Sequence, residues 1–193
     1  MTAIPVQRMN ANARSAYLAH LTALEPEDVR LRFGTPLSKH AIAAYVERID
    51  FGLDTLFCVH GADLELLGAA HLAFGADLAE IGVSVAPGAR RRGVGGALIA
   101  RAAVHARNRA TRRLYMHCLA ENATMIRLAR RAGMDVILEA GDADAHIALA
   151  PATPMSLTSE LIADRVALYD YALKSNVETW RRVGVAMTKS PQQ

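Results

Sequence analysis

The stretch Ala79-Glu-Ile-Gly-Val-Ser-Val-Ala-Pro-Gly-Ala-Arg-Arg-Arg-Gly-Val-Gly-Gly-Ala-Leu98 constrains this chain more than any other. Residues 80–85 alternate and are rich in β-branched side chains, which predicts a strand that Pro87-Gly88 stops. Farther on, Leu98, Ile99, Ala102, Ala103 and Ala106 recur at helical spacing. The turn between them carries Gly93, Gly95 and Gly96, and without a Cβ their backbone can come close to a ligand. Unpaired amides at the start of a helix, reinforced by its dipole, make such a turn a phosphate site. Arg90, Arg91 and Arg92 stand beside it. A strand that feeds such a turn belongs in an α/β fold with a central sheet.

Two phosphate ligands are excluded by the residues themselves. A triphosphate loop needs Lys followed by Ser or Thr after its last glycine, and here Gly96 and Ala97 follow Gly95. A dinucleotide loop needs a third small residue and an acid about twenty residues later. Leu98 and Arg112-Arg113 occupy those places. Charge narrows the ligand further. Between Arg90 and Arg131 there are eleven arginines and one acid, Glu121, a local charge of +10 in a chain whose net charge is +3. An excess of that size predicts an anionic partner. Nucleic acid is not the expected one, because Tyr115 is the only aromatic residue in the window and single-strand binders interleave several.

The rest of the chain supplies the frame. Residues 15–24 and 38–49 read as amphipathic helices, the second opening at the N-cap Ser38. Residues 55–60 and 65–72 read as strands joined by Gly61-Ala62-Asp63, and 114–119 as another. A helix over 122–132 ends at Gly133, and strands over 135–139 and 145–150 flank Gly141-Asp142. The expected fold is therefore a mixed central β-sheet flanked by helices, filling residues 1–150. Beyond Pro151 and Pro154, Ile162, Val166, Tyr169, Leu173, Val177 and Trp180 form one apolar stripe. It predicts an extra C-terminal helix within 151–193 that closes after Arg181 and Arg182, at Gly184. Its apolar face is expected to pack on the domain or, alternatively, on a second copy in a homodimer.

Cys58 and Cys118 lie far apart with no ligand spacing, so neither a disulfide framework nor a metal site is expected. The apolar run Leu66–Ala76 is too short to cross a bilayer, and residues 1–20 do not read as a signal peptide. A cytoplasmic protein without a membrane partner is expected.

Arg90-x-x-Gly93-x-Gly95 after a strand, then Asn122 and Met125-Ile-Arg-Leu-Ala-Arg-Arg-Ala-Gly133-Met134, resembles the GNAT superfamily of acetyl-CoA-dependent N-acetyltransferases. The resemblance covers residues 1–150 and is most specific over 79–134. It implies that Val83 and Val85 offer backbone groups to the pantetheine of acetyl-CoA. Arg91, Arg92, Gly93, Val94, Gly95 and Gly96 would supply amides to the pyrophosphate, with Arg90 at the family's Gln/Arg position. Asn122 would hydrogen-bond the pantetheine arm, and one of Arg127, Arg130 or Arg131 would meet the 3′-phosphate. The implied reaction is direct transfer of acetyl to a primary amine, on a protein lysine or a small molecule.

The run Ala79-Glu-Ile-Gly-Val-Ser-Val looks like a strand of bacterial protein-lysine acetyltransferases in which the Glu is the base. Val29-Arg-Leu-Arg-Phe33 and Ile49-Asp50-Phe51 also resemble the start of their domain. Glu80 is accordingly the leading candidate for general base. His117, five residues before Asn122 where ribosomal-protein acetyltransferases carry Glu, is the second. Ala129 stands where many members place a Tyr acid. That departure keeps open a second function, an acyl-CoA-binding sensor without turnover.

Overall fold

A computed structural model describes residues 3–188. Seven strands are present: β1 (Gln7–Met9), β2 (Thr55–His60), β3 (Leu66–Phe74), β4 (Leu78–Val85), β5 (Arg113–Leu119), β6 (Asp135–Glu139) and β7 (Asp142–Ala148). The helices are α1 (Arg14–Thr22), α2 (Pro26–Phe33), α3 (Lys39–Glu47), α4 (Val94–Asn108), α5 (Ala123–Arg131) and α6 (Pro154–Thr188). The strands form one sheet in the order β1-β2-β3-β4-β5-β7-β6, antiparallel except where β4 meets β5. This is the mixed, helix-flanked sheet that the sequence predicts.

Alternation along β4 separates the two faces. Ala79, Ile81 and Val83 are buried with Leu98, Ile99, Ala102 and Ala106 of α4. A second core lies across the sheet, where Tyr17 and Leu21 of α1, Val29 of α2, and Ile42 and Val46 of α3 pack on Leu56, Cys58 and Ala69. Glu80, Gly82 and Ser84 face that side. Ser84 is held there by buried His20, whose Nε2 lies 2.9 Å from the hydroxyl.

Two elements go beyond the sequence reading. Strand β1 is three residues long, too short for periodicity to register. Helix α2 buries only Val29, so it lacks an apolar stripe, yet its end signals are complete. Pro26 opens it, Glu27 and Asp28 fill its first turn, Arg30 and Arg32 its last, and Gly34 (φ +75°) terminates it. The last hairpin differs in register from the expectation. Its turn is Ala140-Gly141 (φ +48° and +96°), so β7 begins at Asp142 rather than Ala145.

Helix α6 docks on the domain, but not through the apolar face that was expected to pack there or on a second copy. It docks through polar residues, and its apolar stripe faces outward. Arg101 of α4 is 7% exposed and meets Glu160 at 2.9 Å and Asp164 at 2.5 Å. His105 Nδ1 and Asn108 Nδ2 also reach Glu160, at 2.6 and 2.5 Å. Farther along, Lys174 donates to the His60 carbonyl at 2.8 Å and Arg181 pairs with Asp63. On the opposite face, Ile162, Val166, Tyr169, Leu173, Val177 and Trp180 are all more than half exposed. Nor does Gly184 stop the helix, which continues to Thr188. The side chain of Arg182 lies outside the described residues.

Candidate active site

The parallel pairing of β4 and β5 covers Leu78–Glu80 against Arg113–Tyr115 and ends there. Beyond it β4 runs on to Val85 and β5 to Leu119 without further pairing to each other. A wedge therefore opens at Glu80. On its far edge β4 stays paired with β3 as far as Val85, so the backbone of Val83 and Val85 is fixed while its β5-facing edge has no strand partner.

At the end of β4, one turn of tight helix over Pro87–Ala89 leads into the arginine-glycine loop. Arg91 (φ +60°) and Gly93 (φ +88°) both adopt left-handed backbone there. Gly93 is the N-cap of α4, so the amides of Val94, Gly95 and Gly96 have no partner earlier in the helix. A Cβ at Gly96 would meet nothing within 4 Å. One at Gly95 would lie 3.1 Å from Leu128, where α4 packs against α5. Arg91 and Arg92 are exposed and have no ion pair among the described residues. Arg90 instead pairs with Asp28 of α2 at 2.5 Å, and its Nε lies 3.4 Å from the Val85 carbonyl. Free amides, an open glycine and unpaired guanidinium groups fit a pyrophosphate. From this loop a cavity of about 290 Å³ continues between α4 and α5, past Leu128, Arg131 and Met134.

A second cavity, of about 280 Å³, lies on the α2–α3 side and brings Glu80 and His117 together with Arg32, Tyr45, His71 and Gly82. Glu80 is exposed and makes no ion pair among the described residues. His117 has its Nδ1 2.9 Å from Asp144, and Nε2 lies 3.7 Å from Asp142. Tyr115 donates to the same Asp144 oxygen at 2.5 Å. Hydrogen bonds from Tyr115 and His117 hold Asp144 below the usual carboxylate range. Burial and the neighbouring Asp144 push the Tyr115 phenol up to about 12, so it keeps its proton.

Asn122 follows the end of β5 but is buried, and its amide is engaged within the fold. Its Oδ1 accepts from the Met125 amide at 3.1 Å as the cap of α5, and its Nδ2 donates to the Leu31 carbonyl at 3.4 Å. Ala129 is buried in the core. Among the described residues no cluster of His, Cys, Asp and Glu could hold a metal ion, and no helix is long and apolar enough to cross a membrane.

The sequence reading did not assign Arg32, Tyr45 and His71 to the site. Tyr45 and His71 come from elements that were expected, but nothing in their spacing ties them to Glu80. Arg32 depended on α2, whose terminal residues were the available signal.

Comparison with known proteins agrees with this geometry. The GNAT domain of the Streptomyces lividans PAT superposes with a TM-score of 0.65 at 23% identity, covering 75% of this chain and 89% of that one. Spermidine N-acetyltransferase from Vibrio cholerae, solved with CoA and spermine, gives 0.60 at 17% identity over 75% and 94%. A phosphinothricin acetyltransferase from Sinorhizobium meliloti, solved with acetyl-CoA, gives 0.60 at 17% over 78% and 95%. No curated relative matches by sequence. The acetyltransferase (GNAT) family model matches residues 25–134, which span the wedge, the arginine-glycine loop and the capped helix α5. With its loop, wedge and sheet in that order, this chain belongs to the GNAT family of acetyl-CoA-dependent N-acetyltransferases.

Proposed function

We propose that the protein moves an acetyl group from acetyl-CoA to a primary amine held in the Glu80–His117 cavity, with Glu80 as general base. The observation that carries this reading is the parting of β4 from β5 at Glu80. It sets an anion-binding turn at one end of β4 and a carboxylate at the other. Val83 and Val85 would pair with the pantetheine, and Arg91 to Gly96 would hold the pyrophosphate. Arg90 acts through its pair with Asp28, bracing the loop against α2. Asn122, whose amide already caps α5, is proposed to shape the wall beside the pantetheine.

An amine acceptor arrives as an ammonium, with a pKa near 10.4 if it is a lysine, and deprotonating it at pH 7 costs roughly 4.6 kcal/mol. Glu80, with no ion pair among the described residues, is free to take that proton. Bound acetyl-CoA supplies a thioester whose carbonyl carbon the amine attacks. The new C–N bond forms as the C–S bond breaks, one amine proton ends on the thiol and the other in solvent. His117, oriented by Asp144, is the alternative base.

Thiol release from acetyl-CoA against a panel of amines, amino acids and peptide lysines tests this. Glu80→Gln is expected to lower kcat by roughly 10²- to 10⁴-fold. An unaffected Glu80→Gln moves the base to His117. Saturable acetyl-CoA binding without turnover on any acceptor supports the sensor instead.

We also propose that α6 pairs two copies through its outward stripe. Its polar face is already occupied by α4, and a 35-residue helix is about 50 Å long, enough for an extended contact. Sedimentation should give a dimer that Leu173→Glu with Val177→Glu converts to monomer. A wild-type monomer would refute it. Free Cys58 and Cys118 suit a reducing compartment, and we place the protein in the cytoplasm.

A further inference from the structure

Arg32, near the end of α2, lines the second cavity and forms no ion pair with Glu80 or any other acid among the described residues. Its guanidinium lies over Gly82 of β4, where a Cβ would stand 2.1 Å from Nη2 and 2.2 Å from Cζ. Any larger residue at that position would evict it. The rings of Phe33 and Tyr45 flank it at 4.9 and 6.0 Å.

A directed chain of hydrogen bonds holds it in place. Arg32 Nη2 donates to the Tyr45 oxygen at 3.2 Å, the Tyr45 hydroxyl donates to His71 Nδ1 at 2.6 Å, and His71 Nε2 donates to Asp54 at 3.1 Å. Burial keeps the His71 imidazole below its ordinary pKa, in keeping with a neutral ring that accepts from Tyr45. The charge of Asp54 is thus committed to His71. Arg32 itself faces the phenol rings of Tyr45 and the neighbouring Tyr17. Its Nε is buried with no acceptor, and no carboxylate lies within ion-pair distance among the described residues. A guanidinium stays charged at every working pH, and this one is half-buried with its Nε sealed from solvent and no counter-charge paired to it.

We propose that Arg32 recognises the carboxylate of the acceptor, which is a free amino acid. This rests on reading the Glu80 cavity as the acceptor site. Glu80 and Gly82 are two residues apart on one face of β4, about 7 Å along the strand. An amine at Glu80 and a carboxylate on the guanidinium above Gly82 therefore belong to one small molecule. The cavity, about 280 Å³, is at the small end of ligand pockets. The planar fork of the guanidinium matches a carboxylate with two parallel hydrogen bonds.

The test titrates the CoA-loaded protein with a series of amino acids and their carboxamides, and measures kcat/KM on the same pairs. The carboxylate forms should be favoured by roughly 10- to 100-fold. Arg32→Met should bring that ratio to about one through KM, with acetyl-CoA affinity retained, and Arg32→Lys should recover part of it. Gly82→Ala should reproduce the effect of Arg32→Met by evicting the guanidinium without removing it. Equal binding of carboxylate and carboxamide overturns the proposal. So does a preference that both variants leave intact, or turnover of peptide lysines with no amino acid bound. Amino acids bound through Arg32 without turnover would keep this inference and end the acetyltransfer reading. A Glu80-dependent enzyme indifferent to Arg32 would do the reverse.

Discussion

Gly93 shows how much of the proposed cofactor site depends on a single backbone angle. At φ +88° it turns the chain from the arginine run into α4, and a Cβ there would lie 3.3 Å from Ile4 Cδ1. Gly93→Ala should cost about 1–2 kcal/mol from the left-handed conformation alone. Because that strain sits at the α4 amides, acetyl-CoA affinity should fall more than global stability does. Thermal melts with and without acetyl-CoA check this, and a variant that loses stability but keeps its ligand-induced shift would refute it. This glycine, the exposed arginines beside it and Glu80 were legible as candidates because their placement is local, set by which residues follow a strand. Arg32 was not. Its role comes from Gly82, fifty positions away, being small enough to lie beneath a guanidinium. Glycine's absence of a side chain reads in sequence as flexibility and in the structure as room.

Helix α6 was legible as a helix but not in its orientation. A stripe recurring at helical spacing predicts burial of that stripe, because apolar contact ordinarily drives docking. Here the stronger demand comes from α4, whose Arg101, His105 and Asn108 stand on one face, a buried guanidinium that needs an acid with two polar neighbours that need partners. Glu160 and Asp164, one turn apart, provide them. The matching i,i+4 pattern on the two helices was the available sign. Burial pushes the Glu160 carboxyl up, but bonds from His105, Asn108 and Arg101 outweigh it and bring it to about 2. With its folded pKa below the unfolded one, Glu160 stabilises docking above about pH 4.5 and loses that contribution as pH falls toward 2. Glu160→Gln should weaken docking by about 1–3 kcal/mol at pH 7, since Arg101 keeps Asp164 but loses its second acid and His105 loses its carboxylate partner. It should also flatten the acid-induced loosening of α6. Amide exchange along residues 156–178 measures both effects, and unchanged protection in the variant would refute the assignment.

Across the whole molecule, the arginine-rich window divides into guanidinium groups the fold uses and groups it leaves free. Arg90 pairs with Asp28, Arg101 is committed to α6, and Arg107 and Arg109 reach the carbonyls of Pro151 and Leu53. Arg91 and Arg92 are exposed at the α4 amides, and Arg131 lines the cavity beyond them. Coenzyme A brings about four negative charges in its three phosphates. If the free arginines serve those phosphates, binding should weaken as salt rises. Exposed charges interact over a Debye length of about 10 Å at 0.1 M salt and about 3 Å at 1 M. Replacing both Arg91 and Arg92 with Ala should weaken acetyl-CoA binding at low salt and flatten its salt dependence. Replacing both Arg107 and Arg109 with Ala removes the same charge from the same window, but from side chains turned toward Pro151 and Leu53, and should do neither. Calorimetric titrations at several salt concentrations separate the two cases. A matching loss in the Arg107 and Arg109 double variant would mean that the window acts through its summed field, with no directed role for the loop arginines.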